Sequence, residues 1–188
     1  MGKSSSGKDT IYKKLKEKYP QIHTVVPYTT RPIRGNEKNG VEYFFVDRET
    51  YDEMEREGRI IEARSYDTKC GVWTYFTADD GQIDLSCYDY LVIGTLVSCQ
   101  ALKEYYGENS IVPIYIETED GLRLARALKR EKEQNQPKYA EMCRRFLADE
   151  EDFSEESLRK AGITKRFENI NLEECMEEIG AYIEDLGV

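Results

Sequence analysis

The sequence predicts an α/β fold, a parallel sheet flanked by helices, with an inserted β-rich lobe and a helical lid. Three observations carry this. Helical and strand patterns alternate along most of the 188 residues, the arrangement of parallel strands joined by crossover helices. The stretch Gly2-Lys3-Ser4-Ser5-Ser6-Gly7-Lys8 has the spacing of a phosphate-binding loop and runs straight into a helical pattern. Between residues 31 and 85 the alternation gives way to strands in succession.

Each element has its own signal. Residues 8–18 read as a helix with Ile11 and Leu15 on one face, and IHTVVPY (22–28) is a β-branched strand. Pro, Gly and Asn make TRPIRGNEKNG (30–40) a loop, followed by the strand VEYFFV. Asp47 caps a helix that Gly58 stops. RIIEARSY and GVWTYFT are strands, and residues 88–95 (YDYLVIGT) read as a buried one. A helix at 96–106, the buried strand SIVPIYIE, a basic helix at 119–133 and a helix at about 137–150 come next. The strand RFENI and the amphipathic helix LEECMEEIGAYIEDL close the chain. The expected organisation is a single domain, with a core from 1–30, 86–118 and 162–188, a lobe at 31–85 and a lid at 119–161.

Composition narrows the function. A net charge of −10 argues against nucleic acid or an anionic membrane as the main partner. Five scattered cysteines (Cys70, Cys87, Cys99, Cys143, Cys175) without a C-x-x-C pair suit reduced thiols in a cytoplasmic protein. The single histidine, His23, leaves little room for histidine-centred metal or triad chemistry. No apolar run reaches the roughly 20 residues a bilayer span needs, and no signal peptide precedes the glycines.

Three clusters carry chemistry. In the loop, Gly2, Lys3, Ser4, Ser5, Ser6 and Gly7 let successive N–H groups point into one concavity, while the helix N-terminus and Lys8 add positive charge; polyphosphate is the natural guest. The Ser or Thr that usually follows the lysine is Asp9 here, with Thr10 next, so metal support falls to these two. Nothing but Met1 stands before the loop, where a buried strand is expected; we therefore expect Met1 not to be the true start, and residues 1–7 to be loosely held and to bind nucleotide weakly. The second cluster is Arg31 and Arg34, which flank a proline and present guanidinium forks suited to phosphate oxygens. In the third, Arg123, Arg126 and Arg130 share one helix face and Arg144-Arg145 follows, with EKEQNQPK between them reading as mobile; arginines that close over a transferred phosphoryl group lower its barrier.

The run Thr29-Thr30-Arg31-Pro32-Ile33-Arg34-Gly35-Asn36-Glu37, continued by Gly40 and Tyr43-Phe44-Phe45, resembles the guanylate kinase pattern T-T-R-x-P-R-x-G-E-x-x-G-x-x-Y-x-F, with the proline one place early. The resemblance is strongest over residues 29–66 and weakens towards the C-terminus. It implies a P-loop nucleoside monophosphate kinase-like fold in which ATP and Mg²⁺ serve transfer to GMP. It assigns ATP to Gly2 through Thr10, the GMP phosphate to Arg31, Arg34, Tyr43 and Tyr75, and the guanine to Glu62 and Thr77. Catalysis would rest on Lys8, Arg31, Arg34, Arg130 and Arg145, with Arg126 a further lid arginine and Asn169 near the adenine; Asp9 and Thr10 would support the metal. Pro27 stands where the family often has a serine beside the base, and Phe76 replaces a glycine. The strand Leu91-Val92-Ile93-Gly94-Thr95-Leu96 lacks the acids that end the matching strand of the family, so Asp9 is expected to take over their role. Other readings of the same residues are a P-loop kinase acting on a sugar phosphate and a non-catalytic binding module, in a monomer or homodimer. Glu62, and the retained lysine and arginines, favour the GMP reading.

Overall fold

The computed structural model describes residues 1–35, 37–68 and 71–187; Asn36 of the arginine loop and Cys70 lie outside the described residues. In chain order the elements are α1 (Lys8–Lys18), β1 (His23–Thr24), β2 (Tyr28–Thr29), β3 (Phe44–Phe45), α2 (Arg48–Arg56), β4 (Ile60–Thr68), β5 (Gly71–Ala78), β6 (Tyr90–Leu91), α3 (Leu96–Tyr106), β7 (Tyr115–Glu117), α4 (Asp120–Lys132), α5 (Tyr139–Asp152), α6 (Glu155–Lys160), β8 (Arg166–Glu168) and α7 (Leu172–Asp185). They form two compact units. The first comprises Met1–Gln21, Ile93–Gln100 and Val112–Val188, the second Ile22–Val92 and Ala101–Ile111.

In the first unit, Ile11 and Leu15 bury one face of α1, which packs with α7. α7 buries Cys175, Ile179 and Ile183, spaced four apart on one stripe, and Asn171 caps it by accepting from Glu173 N at 2.9 Å. β7 and β8 pair in parallel, Ile116 beside Phe167, and the core below them gathers Leu96, Tyr115, Phe153, Leu158 and Ile163. The sequence reading missed α6. Its signal was there: Ser154 accepts from Ser157 N as N-cap, and Glu155 and Glu156 fill the first turn, favourable to the helix dipole.

The second unit holds the parallel pair β1–β6 and a four-stranded sheet in the order β3-β2-β5-β4. Two expectations fail here. IHTVVPY is two short strands, because Pro27 offers no N–H and the chain changes sheets across it, β1 to β6 and β2 to β3 and β5. The stretch 88–95 is not a buried strand either: only Tyr90–Leu91 pair, and Val92 is exposed, since β6 has one neighbour among the described residues, β1. Parallel pairing is short in each unit: β7–β8 in the first, β1–β6 and β2–β3 in the second.

The four-stranded sheet has two distinct faces. Tyr28, Phe76, Ala78 and Ile60 point to one, where Tyr51 and Met54 of α2 complete an apolar core. Asp47 starts α2 as predicted, accepting from Thr50 N at 2.8 Å. A register shift between Ile60 and Glu62 lets β4 keep Ile60 on the core face while Glu62 lies across from Thr77 and Arg64 across from Tyr75, on the opposite face.

Candidate functional site

The loop Gly2–Lys8 lies within the first unit. Ser5 (φ 63°) is the only described non-glycine residue with positive φ, and Gly7 (φ 90°) turns the chain into α1. A Cβ on Gly7 would stand 2.2 Å from Asn169 Nδ2, and one on Gly2 2.6 Å from the Ile116 carbonyl oxygen; only glycine permits either approach. The loop is held at both ends. Met1 N donates to Ile114 O at 2.7 Å, and Met1 O accepts from Ile116 N at 2.9 Å, so a single residue pairs with the chain at β7. Ser6 O accepts from Asn169 Nδ2 at 2.7 Å and Thr118 Oγ1 at 3.1 Å. The loose leading end expected from the sequence is not what the described residues show. Asn169, aligned by resemblance with an adenine contact, here pins the loop.

Among the described residues, several donors around the loop have no hydrogen-bond partner. Ser5 Oγ, Ser6 Oγ and Arg126 Nη1 are buried without a hydrogen bond, while Arg126 Nη2 donates to Asn169 O at 3.0 Å. Buried donors of this kind are costly unless an acceptor meets them, and phosphate oxygens are the acceptors this loop suits. Lys8 Nζ has the Asp9 carboxylate at 3.6 Å, and that carboxylate is 75 % exposed.

Helices α4 and α5 meet the loop through charge. Arg123, 1 % exposed at its side chain, donates to Asp120 Oδ1 at 2.7 Å, Glu150 Oε1 at 3.1 Å and Ser4 O at 3.3 Å, with Asp149 at 3.8 Å and the Phe146 ring beneath its guanidinium. Lys3 Nζ sits 2.8 Å from Glu150, Ser4 N donates to Asp149 Oδ2 at 2.8 Å, and Arg145 Nη2 donates to Ser4 Oγ at 3.3 Å. Glu131, buried near the end of α4, accepts from Lys138 N and from Gln134 Nε2, tying down the turn between α4 and α5. Arg130 is exposed and, among the described residues, makes no hydrogen bond or ion pair to the loop. Sequence reasoning missed Arg123 as the hub and Asp149 as a carboxylate on a loop amide; both meet residues more than 100 positions away. Because Asp149 places negative charge where phosphate oxygens would bind, Asp149→Asn should tighten ATP roughly 5- to 10-fold by calorimetry, about one charge-assisted hydrogen bond's worth. Weaker ATP binding at unchanged Tm would show that the carboxylate supports the loop instead.

The second cluster lies in the second unit, on the open face of the four-stranded sheet. Arg31, 3 % exposed, forms a bidentate pair with Glu37 at 2.7 and 2.6 Å and stacks on Tyr43 and Phe45, its guanidinium carbon 5.1 and 5.2 Å from the ring centroids. Tyr75 stands edge-on to Tyr43 at 5.6 Å. Hydrogen bonding from Arg31 holds the Glu37 carboxyl down at about 2, while burial pushes the Tyr43 hydroxyl up. The stability this pair contributes is therefore fully present above the ordinary value of 4.5 and lost as pH falls towards 2. Arg34 is exposed, its backbone N donating to Glu37 Oε2 at 2.9 Å. Glu62 is buried, accepts from Thr77 Oγ1 at 3.0 Å and is ion-paired with Arg64 at 3.1 Å. The fold thus gathers Arg31, Tyr43, Tyr75, Glu62 and Thr77 on one face and leaves Arg34 at its rim.

Residues 1–72 match the guanylate kinase family model. Over 59 residues the chain is 48 % identical to the guanylate kinase of Legionella pneumophila (strain Lens), a match covering 31 % of this chain and 28 % of that protein. Over 61 residues it is 43 % identical to the guanylate kinase of Frankia casuarinae, covering 32 % and 33 %. The matched stretch is thus a third or less of each of these relatives. Among solved structures, guanylate kinase from Anaplasma phagocytophilum superposes with a TM-score of 0.62 at 24 % identity, over 98 % of this chain and 82 % of that one. Similarity to guanylate kinases thus extends over residues 1–72 in sequence and over nearly the whole chain in fold alone.

Proposed function

We propose that the protein transfers the γ-phosphate of ATP to GMP, giving ADP and GDP, as a cytoplasmic enzyme of purine nucleotide metabolism. The observation that carries this is the open sheet face, where a buried carboxylate (Glu62) and a threonine (Thr77) share a surface with a buried arginine and two tyrosines. A carboxylate accepts from guanine N1–H and the 2-amino group together, and the cation and hydroxyls suit a phosphate.

In this reading ATP lies on the loop from Gly2 to Thr10. Its phosphates take the amides of the curled backbone and the buried Ser5 and Ser6 hydroxyls, with Lys8 as the local cation. Asp9 and Thr10 offer a carboxylate and a hydroxyl on the first turn of α1, hard oxygen donors that fit Mg²⁺, an ion that uses one or two carboxylates beside substrate phosphates. When bound, that ion neutralises charge on the phosphates. Arg126, Arg130 and Arg145 on the lid helices supply positive charge for the transferred group, and Arg34, Tyr43 and Tyr75 hold the acceptor's phosphate, with Arg31 beside them. The chemistry needs positioning and charge neutralisation, and no covalent intermediate.

An assay of ADP release across GMP, dGMP, AMP, UMP and CMP tests this; activity confined to another acceptor overturns it. Glu62→Gln should lower kcat/KM for GMP by roughly 10- to 100-fold, since one amide replaces two acceptor oxygens, with the KM for ATP barely changed. An unaltered GMP response would remove Glu62 from the site.

A further inference from the structure

Glu62 already has donors on both oxygens. Oε1 accepts from Thr77 Oγ1 at 3.0 Å and from Arg64 Nη2 at 3.3 Å, and Oε2 accepts from Arg64 Nε at 3.1 Å. A carboxylate offers about two lone-pair positions on each oxygen. Oε1 is therefore saturated and Oε2 has one position left. A purine edge with two adjacent N–H donors needs a position on each oxygen, and with Arg64 docked it finds only one.

The occupant has the shape of the ligand. Nε–H and Nη2–H of Arg64 are two donors on a planar N–C–N unit, and the N1–H and 2-amino group of guanine are two donors on a planar N–C–N unit as well. Both forks fit one carboxylate in the same bidentate way. Strand alternation places Glu62 and Arg64 on one face, and the register shift between Ile60 and Glu62 turns that face to the side of Thr77 and Tyr75. Glu62 is 3 % exposed at its side chain while Arg64 is 24 % exposed, so the arginine already reaches solvent and can leave where the carboxylate cannot.

Resting on the GMP reading above, we propose that Arg64 is an internal competitor of the acceptor base: its guanidinium holds on Glu62 the places that the purine's own donors take. Guanine binding exchanges one fork for the other. Hypoxanthine presents N1–H alone, so it can use the free position on Oε2 while Arg64 keeps its place. Arg64 therefore weakens GMP more than IMP and narrows the discrimination between them.

Steady-state kinetics of the full chain with GMP and with IMP, at saturating ATP, decide this for Arg64→Met and Arg64→Lys, with Tm measured alongside. Arg64→Met keeps the apolar stem and loses the fork. It should lower the KM for GMP roughly 5- to 10-fold with little change in kcat, lower the KM for IMP less, and so raise the GMP-to-IMP ratio of kcat/KM. Arg64→Lys keeps the charge without the fork and should change both in the same direction by less. If Arg64→Met does not fold, the direction of change in Arg64→Lys decides. A raised KM for GMP would mean that Arg64 orients Glu62 for the base, and an unchanged one that it does not bear on base binding; either overturns the proposal. A wild-type protein that phosphorylates neither GMP nor IMP refutes the GMP reading, and the proposal falls with it.

Discussion

Lys8→Met should lower kcat on the order of 100- to 1,000-fold, the loss that follows removal of one preorganised positive group from a phosphoryl or oxyanion site, with the KM for GMP little changed. The folded state should hardly notice. Among the described residues the ammonium pairs with Asp9, its neighbour in sequence, at 3.6 Å, and that carboxylate is 75 % exposed. Exposed pairs of this kind contribute about 0–1 kcal/mol. Helix α1 is held instead by Ile11 and Leu15, buried against the first unit, and by Gly7, whose carbonyl accepts from Thr10 and Ile11 N at 3.0 Å. A large fall in kcat at constant Tm is therefore the expected signature, measured by ADP release and thermal melting on the same sample. Activity within a few-fold of wild type would falsify the assignment of the loop to the transferred phosphates.

Arg123→Met should show the opposite signature, a large loss of stability. The guanidinium is buried among three carboxylates, Asp120, Asp149 and Glu150, and also bonds the Ser4 carbonyl. Removing one partner of a buried charge network costs about 3–5 kcal/mol, because the groups left behind, Asp149 above all at 15 % exposed, stay partly desolvated and uncompensated. For a domain of this size that corresponds to a Tm lower by roughly 6–20 °C. Asp120 and Glu150 would then keep Lys3, and Asp149 the Ser4 amide. Adding Asp149→Asn and Glu150→Gln to Arg123→Met should restore part of the loss, since it removes the repulsion that the single substitution exposes. A Tm within 2 °C of wild type, or no restoration, would show that the acids are solvated without the arginine.

These two substitutions separate what was legible in the chain from what was not. Lys8 is the last residue of a local motif, and its place at the start of α1 needs only the spacing from Gly2 and the helical pattern that follows. Arg123 looked the same as Arg126 and Arg130 in sequence, three arginines on one helix face. Only packing separates them: Arg123 is enclosed by α5, Arg126 reaches the end of β8, and Arg130 stays exposed.

The sequence by itself determined what depends on near neighbours. It set the bounds of α1, the Asp47 cap and Gly58 end of α2, the Ile11–Leu15 stripe, and the arginine loop that resembles guanylate kinases. Caps, 3.6-residue periodicity and glycine turns act over a few residues, so their physics is complete in a short window. Tertiary structure alone decided the rest. A register shift turned Glu62 and Arg64 to the face opposite Ile60, where alternation along β4 would keep all three together. Pro27 divided one apparent strand between two sheets, according to which neighbours were there to accept its halves. Asp149 and Glu150 reached the phosphate loop from residues 145 and 147 positions away. Such contacts form because folding buries charges that must then find partners, and a local pattern does not say which partners will be nearest.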